Sequence, residues 1–192
     1  MMLFLLQIAL LLVSKVVHYL NQDGLSLLAL KSAIETDQTQ ILDSWSESYP
    51  TPCHWHGVAC TRNQVTNLFL TNKCLTGYIP SKLGHLDSLK RLNLLNNNFS
   101  IPIPAYIFNA AALISLDLSN NSLVGPIPDQ IRSLKALNHL DMSSNFLNCS
   151  FPESLAELPS LTGTLNLSYD KYTLMGDIIV LILFIPLSGG VG

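Results

Sequence analysis

Two cysteines and two histidines lie close together in the order Cys53, His54, His56 and Cys60. Thiolates and imidazoles are common zinc ligands, but this spacing matches none of the usual zinc patterns. Two cysteines this close in a chain that enters an oxidising compartment instead indicate a disulfide that closes a small loop. The sequence therefore predicts a disulfide between Cys53 and Cys60, and no metal site.

Asp117, His139 and Asp141 form a second set of interest, because carboxylates and an imidazole can act as acid and base. Such chemistry also needs a nucleophile, a pocket motif or a set of metal ligands. The sequence offers none of these beside the three residues. We therefore predict no catalytic residue, no cofactor and no enzymatic activity.

Four Asn-x-Ser sequons occur, and each is an N-glycan acceptor if the chain enters the secretory pathway. Chance is the alternative, because asparagine and serine are common throughout this part of the chain. Asn98 and Asn148 are expected to be the most accessible, just past predicted strands, whereas a glycan on Asn120 would crowd a sheet edge. The four acceptors are Asn98, Asn120, Asn148 and Asn166.

The elements that position these residues follow from a motif that returns every 24 residues. Its form is Leu-x-x-Leu-x-Leu-x-x-Asn-x-Leu, and copies begin at Val65, Leu89, Leu113 and Leu137. The first copy has Lys73 where the asparagine is expected. A fixed period of this length with this pattern is the leucine-rich-repeat signature, so the chain is predicted to be an α/β solenoid.

Each repeat is predicted to contribute one strand whose alternate side chains face opposite sides. The asparagine that follows can satisfy backbone groups where the chain turns, giving a ladder of Asn97, Asn121 and Asn145. Gly77 and Gly125 then open Gly-x-Ile-Pro turns, because glycine permits backbone angles that other residues avoid.

The outward strand positions form a concave surface, which solenoids commonly use for binding. A solvated sheet face without a partner is the alternative. These positions are Asn67, Phe69, Thr71, Arg91, Asn93, Leu95, Ser115, Asp117, Ser119, His139, Asp141 and Ser143. We name as the recognition face the six that are predicted to carry the binding: Phe69, Arg91, Asn93, Asp117, His139 and Asp141.

Cys74 and Cys149 lie three repeats apart. At ~4.8 Å per stacked strand they would be roughly 14 Å apart, beyond the limit of about 7 Å between the Cα atoms of a disulfide. Both are therefore predicted to be unpaired thiols.

Composition excludes some functions. The 192 residues carry a net charge of −3 with only 10 Lys and Arg, so no basic surface for nucleic acid is expected. Residues 1–20 are mostly apolar and predict a secretory signal peptide, with a signal anchor as the alternative. After it, Asp23 is the expected N-cap of a helix carrying Leu27, Leu30 and Ile34 on one face. A second short helix is expected over 41–45, and Trp55 is expected to seal the end of the core.

Residues 21–31, Ser44-Trp45 and 53–60 together resemble the N-terminal cap of plant leucine-rich-repeat receptor-like kinases. Leu75–Pro80 resembles the plant-specific repeat, and the resemblance extends over residues 21–173. It implies a right-handed plant-type solenoid with a disulfide-closed helical cap, as part of a receptor with one transmembrane helix and a cytoplasmic kinase.

The chain departs from that family pattern after Tyr172. It has no Gly-rich phosphate loop and no kinase His-Arg-Asp or Asp-Phe-Gly motif. The ten apolar residues 178–187 are too few to span a bilayer. The predicted boundaries are a signal peptide at 1–20, a cap at 21–62, four repeats at 63–160, a degenerate fifth repeat at 161–176 with Asp170 for asparagine, and an apolar non-family tail at 177–192.

The leading hypothesis is an extracellular recognition module that binds a peptide, a protein ligand or a co-receptor on its concave face. It would act in the apoplast or at the plasma membrane, with no nucleic-acid partner. One alternative is a secreted inhibitor of a cell-wall-degrading enzyme. The other is a truncated receptor remnant without function.

Overall fold

The computed structural model describes residues 20–148 and 153–168. Several predicted features lie outside the described residues. They are residues 1–19 of the predicted signal peptide, Cys149, residues 169–176 of the predicted fifth repeat, which include Asp170, and the apolar tail at 177–192.

Two sheets run along the solenoid. The strands of the first sheet are β2 Val58–Thr61, β3 Gln64–Phe69, β5 Arg91–Asn93, β7 Ser115–Asp117, β9 His139–Asp141 and β11 Leu165–Asn166. Those of the second sheet are β1 Ile34–Thr36, β4 Thr76–Tyr78, β6 Asn98–Pro102, β8 Ser122–Gly125 and β10 Phe146–Leu147. The first sheet has the order β11-β9-β7-β5-β3-β2, and the second has the order β1-β4-β6-β8-β10.

The first sheet consists of the strands that the leucine motif predicts. From β3 to β11 they are parallel, and equivalent motif leucines pair across neighbouring strands. The leucines at 68, 92, 116 and 140 are all buried. The predicted leucine-rich-repeat solenoid is confirmed, and antiparallel β2 closes its N-terminal edge.

The second sheet follows the ladder asparagines and was not predicted from the sequence. Phe99, Leu123 and Leu147 face inward from its strands and are buried. Antiparallel β1 covers its N-terminal edge. This close approach requires Gly77, whose φ is 147°, because a Cβ there would lie 2.1 Å from the Ala33 carbonyl oxygen.

Short 3₁₀ helices form the side of the solenoid opposite the first sheet. Each of the first three begins after a proline, and each of the four buries at least one apolar side chain: Leu83, Ile107, Ile131 and Leu155. Their bounds are Ser81–His85, Ala105–Asn109, Asp129–Ser133 and Glu153–Leu155.

The N-terminal cap contains one helix, α1, over Gln22–Ala33. Its N-cap is Asn21, whose side-chain oxygen accepts from the Gly24 N–H at 3.0 Å, so the prediction that Asp23 would be the N-cap is wrong. Asp23 lies in the first turn, and its carboxylate accepts instead from the Val65 N–H at 2.7 Å. The acidic residue therefore joins the cap to the first repeat.

The predicted second helix over 41–45 is also wrong, because this segment forms turns. The Asp37 carboxylate accepts from the N–H groups of Ile41 and Leu42. The Lys31 ammonium donates to the carbonyls of Leu42 and Trp45, each at 2.8 Å. These side chains supply partners that a helix would otherwise provide.

Trp55 and the disulfide seal the N-terminal end of the core, as predicted, and Trp45, for which no such role was predicted, joins them. Trp45 and Trp55 are stacked with ring centroids 5.3 Å apart, and both are buried. The Trp45 indole N–H donates to the His56 carbonyl at 3.0 Å. Cys53 and Cys60 form the disulfide, with their Cα atoms 5.5 Å apart.

Candidate functional site

The predicted asparagine ladder holds the recognition face in place. The side-chain oxygen of Asn121 accepts from the buried Phe99 N–H at 3.0 Å, and its amide nitrogen donates to three carbonyls at 3.0 to 3.1 Å. Asn97 and Asn145 make equivalent bonds in their repeats. Each repeat is thereby fixed to the one before it, so the strand spacing is rigid.

The recognition face forms two rows across the first sheet. Sheet register places Arg91 opposite Asn67 on one side and Ser115 on the other, and His139 opposite Ser115. The second row comprises Phe69, Asn93, Asp117, Asp141 and Asn166. The predicted residues therefore do lie on one continuous surface, and Asn166 extends it into the fifth repeat.

Hydrogen bonds between repeats occupy the two carboxylates. Asp117 Oδ2 accepts from the Asn93 amide at 3.3 Å. Asp141 Oδ2 accepts from the Asn166 amide at 3.1 Å. The two negative charges are therefore adjacent, and each is flanked by an amide donor on its outer side.

Ser119 and Ser143 were expected to project outward, and that expectation is wrong. Both are buried, at 6% and 7% exposure. Each hydroxyl donates at 2.6 Å to the carboxylate two residues earlier, Asp117 or Asp141. The serines therefore orient the two carboxylates instead of offering hydroxyls to a partner.

His139 does not join the carboxylates in an acid–base group. Its Nδ1 accepts from the Thr164 N–H at 3.2 Å, and no hydrogen bond links it to Asp117 or Asp141 within the part of the chain that the structure describes. In the same part, no three His, Cys, Asp or Glu residues are grouped so that they could hold a metal ion.

Phe69 and Arg91 are the exposed members of the recognition face toward the N-terminal cap. Phe69 keeps 43% of its surface exposed although it lies in a strand, and the Arg91 side chain is exposed on the neighbouring strand. The face thus presents an aromatic ring and a guanidinium at one end and the two carboxylates at the other. Such a surface offers a partner apolar, cationic and anionic contacts together.

The pKa of Asp23 is raised above its ordinary value of 3.8, chiefly because burial disfavours the charged carboxylate. The hydrogen bond from the Val65 N–H opposes this shift, and the nearby charge of Asp87 adds to it. Asp23 lies in the cap and not on the recognition face, so its role is structural.

The four sequons occupy different surfaces. Asn98 follows β5 of the first sheet and is the exposed first residue of β6 in the second sheet. Asn148 is exposed after β10. Asn166 lies within β11 in the second row of the first sheet. The structure thus separates acceptors on the second sheet from an acceptor beside the recognition face.

Asn120 belongs to a second asparagine ladder that sequence reasoning missed. Asn72, Asn96 and Asn120 have φ values of 57°, 56° and 51°. The Asn96 amide donates to the Asn72 side chain at 2.6 Å, and the Asn120 amide donates to Asn96. The repeated Asn-Asn pairs at 96–97 and 120–121 were the available signal, because asparagine tolerates left-handed backbone angles.

Cys74 is exposed and forms no disulfide with any residue that the structure describes. Its φ is 52°. Cys149 lies outside the described residues, so the prediction of two unpaired thiols remains a prediction.

Comparison with known proteins places this architecture in a family. A family model of the leucine-rich-repeat N-terminal domain matches residues 20–61, and leucine-rich-repeat models match residues 88–110 and 111–171. A chain in the crystal structure of the BIR3–SERK2 complex from Arabidopsis thaliana is 37% identical, with a TM-score of 0.70. That match covers 77% of this chain and 82% of the other. This chain belongs to the plant leucine-rich-repeat receptor-like kinase family.

Other members of the receptor-like kinase family are similar over a smaller share of their length. The HAESA ectodomain of Arabidopsis, solved with an IDA peptide hormone ligand, is 38% identical with a TM-score of 0.69. That match covers 78% of this chain and 25% of HAESA. A probable inactive leucine-rich-repeat receptor-like protein kinase of Arabidopsis thaliana is 37% identical over 81 residues, which is 42% of this chain and 12% of that relative. The chain spans about a tenth of the length of the curated relatives it matches.

Among the described residues, no helix has the length and apolar character needed to cross a bilayer.

Proposed function

We propose that this chain is an extracellular recognition module that binds a peptide or a protein partner through the recognition face. The observation that carries the proposal is that exposed Phe69 and exposed Arg91 lie on neighbouring strands of a rigid sheet. Aromatic and arginine side chains are enriched among residues that dominate binding energies. A preformed surface also loses little conformational entropy on binding.

The related structures support both kinds of partner. HAESA is described in complex with a peptide hormone, and BIR3 and SERK2 are described as a complex of two proteins. The two carboxylates at the far end of the face, held by Ser119 and Ser143, would favour a partner with a positively charged group. Arg91 would favour a carboxylate on the same partner.

Binding can be measured with the full chain, secreted and immobilised, and two soluble probes: the IDA peptide and the SERK2 ectodomain. We expect at least one probe to bind with micromolar affinity or better. Phe69→Ala and Arg91→Glu should each weaken that binding by about tenfold or more, which corresponds to ~1.4 kcal/mol.

Lys82→Glu is the matched control, because Lys82 is exposed on a 3₁₀ helix away from the first sheet. It should change the affinity less than twofold if the charge reversal acts only where the partner binds. Failure of both probes to bind, or an equal loss in the control, would argue against the proposal.

A further inference from the structure

The first row of the first sheet contains three hydrogen-bond donors on adjacent strands. Sheet register aligns Arg91, Ser115 and His139 directly opposite one another. Arg91 is exposed, and no hydrogen bond or ion pair links its guanidinium to another residue within 20–148 or 153–168. The Ser115 hydroxyl likewise has no hydrogen-bond partner in those two ranges. We name Arg91, Ser115 and His139 the donor row.

The structure determines which nitrogen of the His139 imidazole can donate to a partner. Nδ1 accepts from the Thr164 N–H at 3.2 Å, and a ring nitrogen accepts only when it carries no proton. The hydrogen is therefore on Nε2. The ring lies against Gly163, where a Cβ would be 2.5 Å from Cε1, so a residue with a side chain would displace it. Because His139 is exposed, its Nε2–H completes the donor row.

The second row contains two carboxylates that have no cation beside them. Asp117 and Asp141 lie directly opposite each other on adjacent strands, a position in which like charges are unfavourable. Within the described part of the chain, the one ion pair joins Arg132 to Glu157. Neither carboxylate is therefore neutralised by the residues around it.

The space between the two carboxylates also lacks a donor. Each Oδ1 accepts from the N–H and the hydroxyl of the serine two residues later. Each Oδ2 accepts from an amide on the outer side, Asn93 on β5 for Asp117 and Asn166 on β11 for Asp141. A carboxylate offers about four acceptor positions, so each retains about one that faces no donor among the described residues.

We propose that the recognition face binds an extended peptide that crosses the strands between the two rows and carries an acidic residue directly beside a basic one. Successive side chains of an extended peptide point to opposite sides. The acidic side chain then contacts the donor row, and the basic side chain contacts Asp117 and Asp141. An apolar side chain of the peptide, three residues from the acidic one and four from the basic one, contacts Phe69. The inference rests on the proposed function, because it assigns the chemistry of the partner at the same face.

The strand spacing determines the order of these three peptide residues. Phe69 lies two strands before Ser115, which is about 10 Å at ~4.8 Å per strand. It lies about 12 Å before the midpoint between the two carboxylates by the same spacing. An extended peptide advances ~3.3 Å per residue, so three residues cover about 10 Å and four cover about 13 Å. The motif is therefore apolar-x-x-acidic-basic, read in either chain direction.

Each contact supplies a group that the chain itself leaves without a partner. A peptide carboxylate receives charge-assisted hydrogen bonds from the donor row. A peptide ammonium between Asp117 and Asp141 offsets the repulsion between their charges. Phe69, which is 43% exposed, can pack against an aromatic ring. A peptide with the two charges exchanged would place like charges together, which disfavours it.

The test uses the full chain, secreted and immobilised, and seven-residue peptides with blocked ends. The motif peptides are Ser-Phe-Ser-Ser-Glu-Lys-Ser and its reverse. In the control peptides, Ser-Phe-Ser-Glu-Ser-Lys-Ser and its reverse, the glutamate has moved by one position, so that all three large side chains point to one side. We expect at least one motif peptide to bind about tenfold or more tightly than its control in surface plasmon resonance. Equal affinities of motif and control peptides would overturn the proposal.

Paired substitutions test which row each peptide charge contacts. Arg91→Gln should weaken binding of the motif peptide about fivefold or more, but should have less than a twofold effect once the peptide glutamate is replaced by glutamine. Asp141→Asn, which keeps an acceptor for the Ser143 hydroxyl, should show the same dependence on the peptide lysine. Lys82→Gln, away from the first sheet, should change no affinity. Dependence of Arg91 on the lysine, or of Asp141 on the glutamate, would contradict the assignment of the rows.

The IDA peptide and the SERK2 ectodomain distinguish failure of this inference from failure of the proposed function. If either probe binds and neither motif peptide does, the proposed function stands and the peptide motif is wrong. If no probe and no motif peptide binds, both proposals are wrong.

Discussion

Asp23 connects the N-terminal cap to the first repeat, although its negative charge is disfavoured there. Its carboxylate accepts from the Val65 N–H at 2.7 Å, and Val65 is fully buried at the start of the first repeat. Burial and the neighbouring Asp87 nevertheless raise its pKa. The hydrogen bond therefore stabilises the junction while the charge itself is disfavoured.

This balance predicts a pH dependence. Because the folded pKa lies above the ordinary value of 3.8, the folded chain binds the Asp23 proton more tightly than the unfolded chain. Its contribution to the free energy of unfolding is then greatest below 3.8 and falls as pH rises through the folded pKa. Asp23→Asn keeps an acceptor for the Val65 N–H without this titration. Relative to the parent, the variant should gain stability as pH rises from about 4 through the folded pKa, measured by chemical denaturation.

Asp23→Ala is the companion variant, because it leaves the Val65 N–H without its acceptor. It should cost about 1–3 kcal/mol at neutral pH. A gain for Asp23→Asn that does not change with pH would contradict the assigned cause.

Ile101 is a second residue whose type conflicts with its place. It occupies the position of Gly77 and Gly125 in its repeat and has a φ of 61°. A left-handed backbone angle costs a β-branched residue about 1–2 kcal/mol of folding free energy. Glycine avoids this cost but loses ~0.5–1 kcal/mol more backbone entropy on folding. Ile101→Gly should therefore raise the free energy of unfolding by roughly 0.5–1 kcal/mol. Denaturant midpoints with unchanged slopes would measure this.

Ile114→Gly provides the control, since Ile114 is also exposed but is not among the residues with positive φ. There the same change should destabilise by about 0.5–1 kcal/mol. Destabilisation by both variants would show that Ile101 is not strained.

At the level of elements, the two asparagine ladders differ in burial. The inner ladder, formed by Asn97, Asn121 and Asn145, serves buried backbone groups, as the bond from the Phe99 N–H to Asn121 shows. The outer ladder, formed by Asn72, Asn96 and Asn120, joins exposed side chains that have left-handed backbone angles. Their contributions to stability should therefore differ, although both repeat with the same period.

Asn121→Ala and Asn96→Gly test this difference. The first leaves the Phe99 N–H unsatisfied in the core and should cost about 2–3 kcal/mol. The second removes two exposed side-chain bonds, to Asn72 and from Asn120, while glycine keeps the left-handed angle, so it should cost less than about 1 kcal/mol. Equal costs in thermal or denaturant unfolding would contradict the division into inner and outer ladders.

The elements also show what the sequence can and cannot predict. The first sheet, the inner ladder and the cap disulfide follow from local spacing, because each repeat carries the same residues at the same offsets. The second sheet was missed because β6 contains Ile101 and Pro102, and its register pairs residues 22 apart instead of 24. The prediction of a helix over 41–45 was wrong because the side chains of Asp37 and Lys31, which lie earlier in the chain, bind the backbone of Leu42.

The same limit applies to the recognition face. Strand alternation places its six residues on one side, and the structure agrees with that placement. Which polar groups remain free was not predictable, because Asp117 and Asp141 are satisfied by bonds to neighbouring repeats. Such bonds depend on register, which a single repeat does not specify.

At the scale of the whole molecule, the two ends of the described solenoid differ. The stacked Trp45 and Trp55 cover the first repeat and are buried. At the other end, Leu165 and Leu167 are only partly buried, whereas Leu140 in the preceding repeat is fully buried. In a solenoid each repeat is stabilised by its neighbours, so stability should decrease toward the last described strand.

Hydrogen exchange in the native state tests this gradient. The Leu94 N–H donates to the Asp117 carbonyl in the middle of the stack, and the Met142 N–H donates to the Asn166 carbonyl near its end. We expect the Leu94 amide to exchange at least about tenfold more slowly, because the strand β11 that accepts the Met142 bond carries only partly buried leucines and should open more readily. Leu165→Ala should speed exchange at Met142 further and leave Leu94 unchanged. Equal protection of both amides, or an equal effect of the substitution on each, would mean that the solenoid opens as one cooperative unit and that its ends are not weaker than its middle.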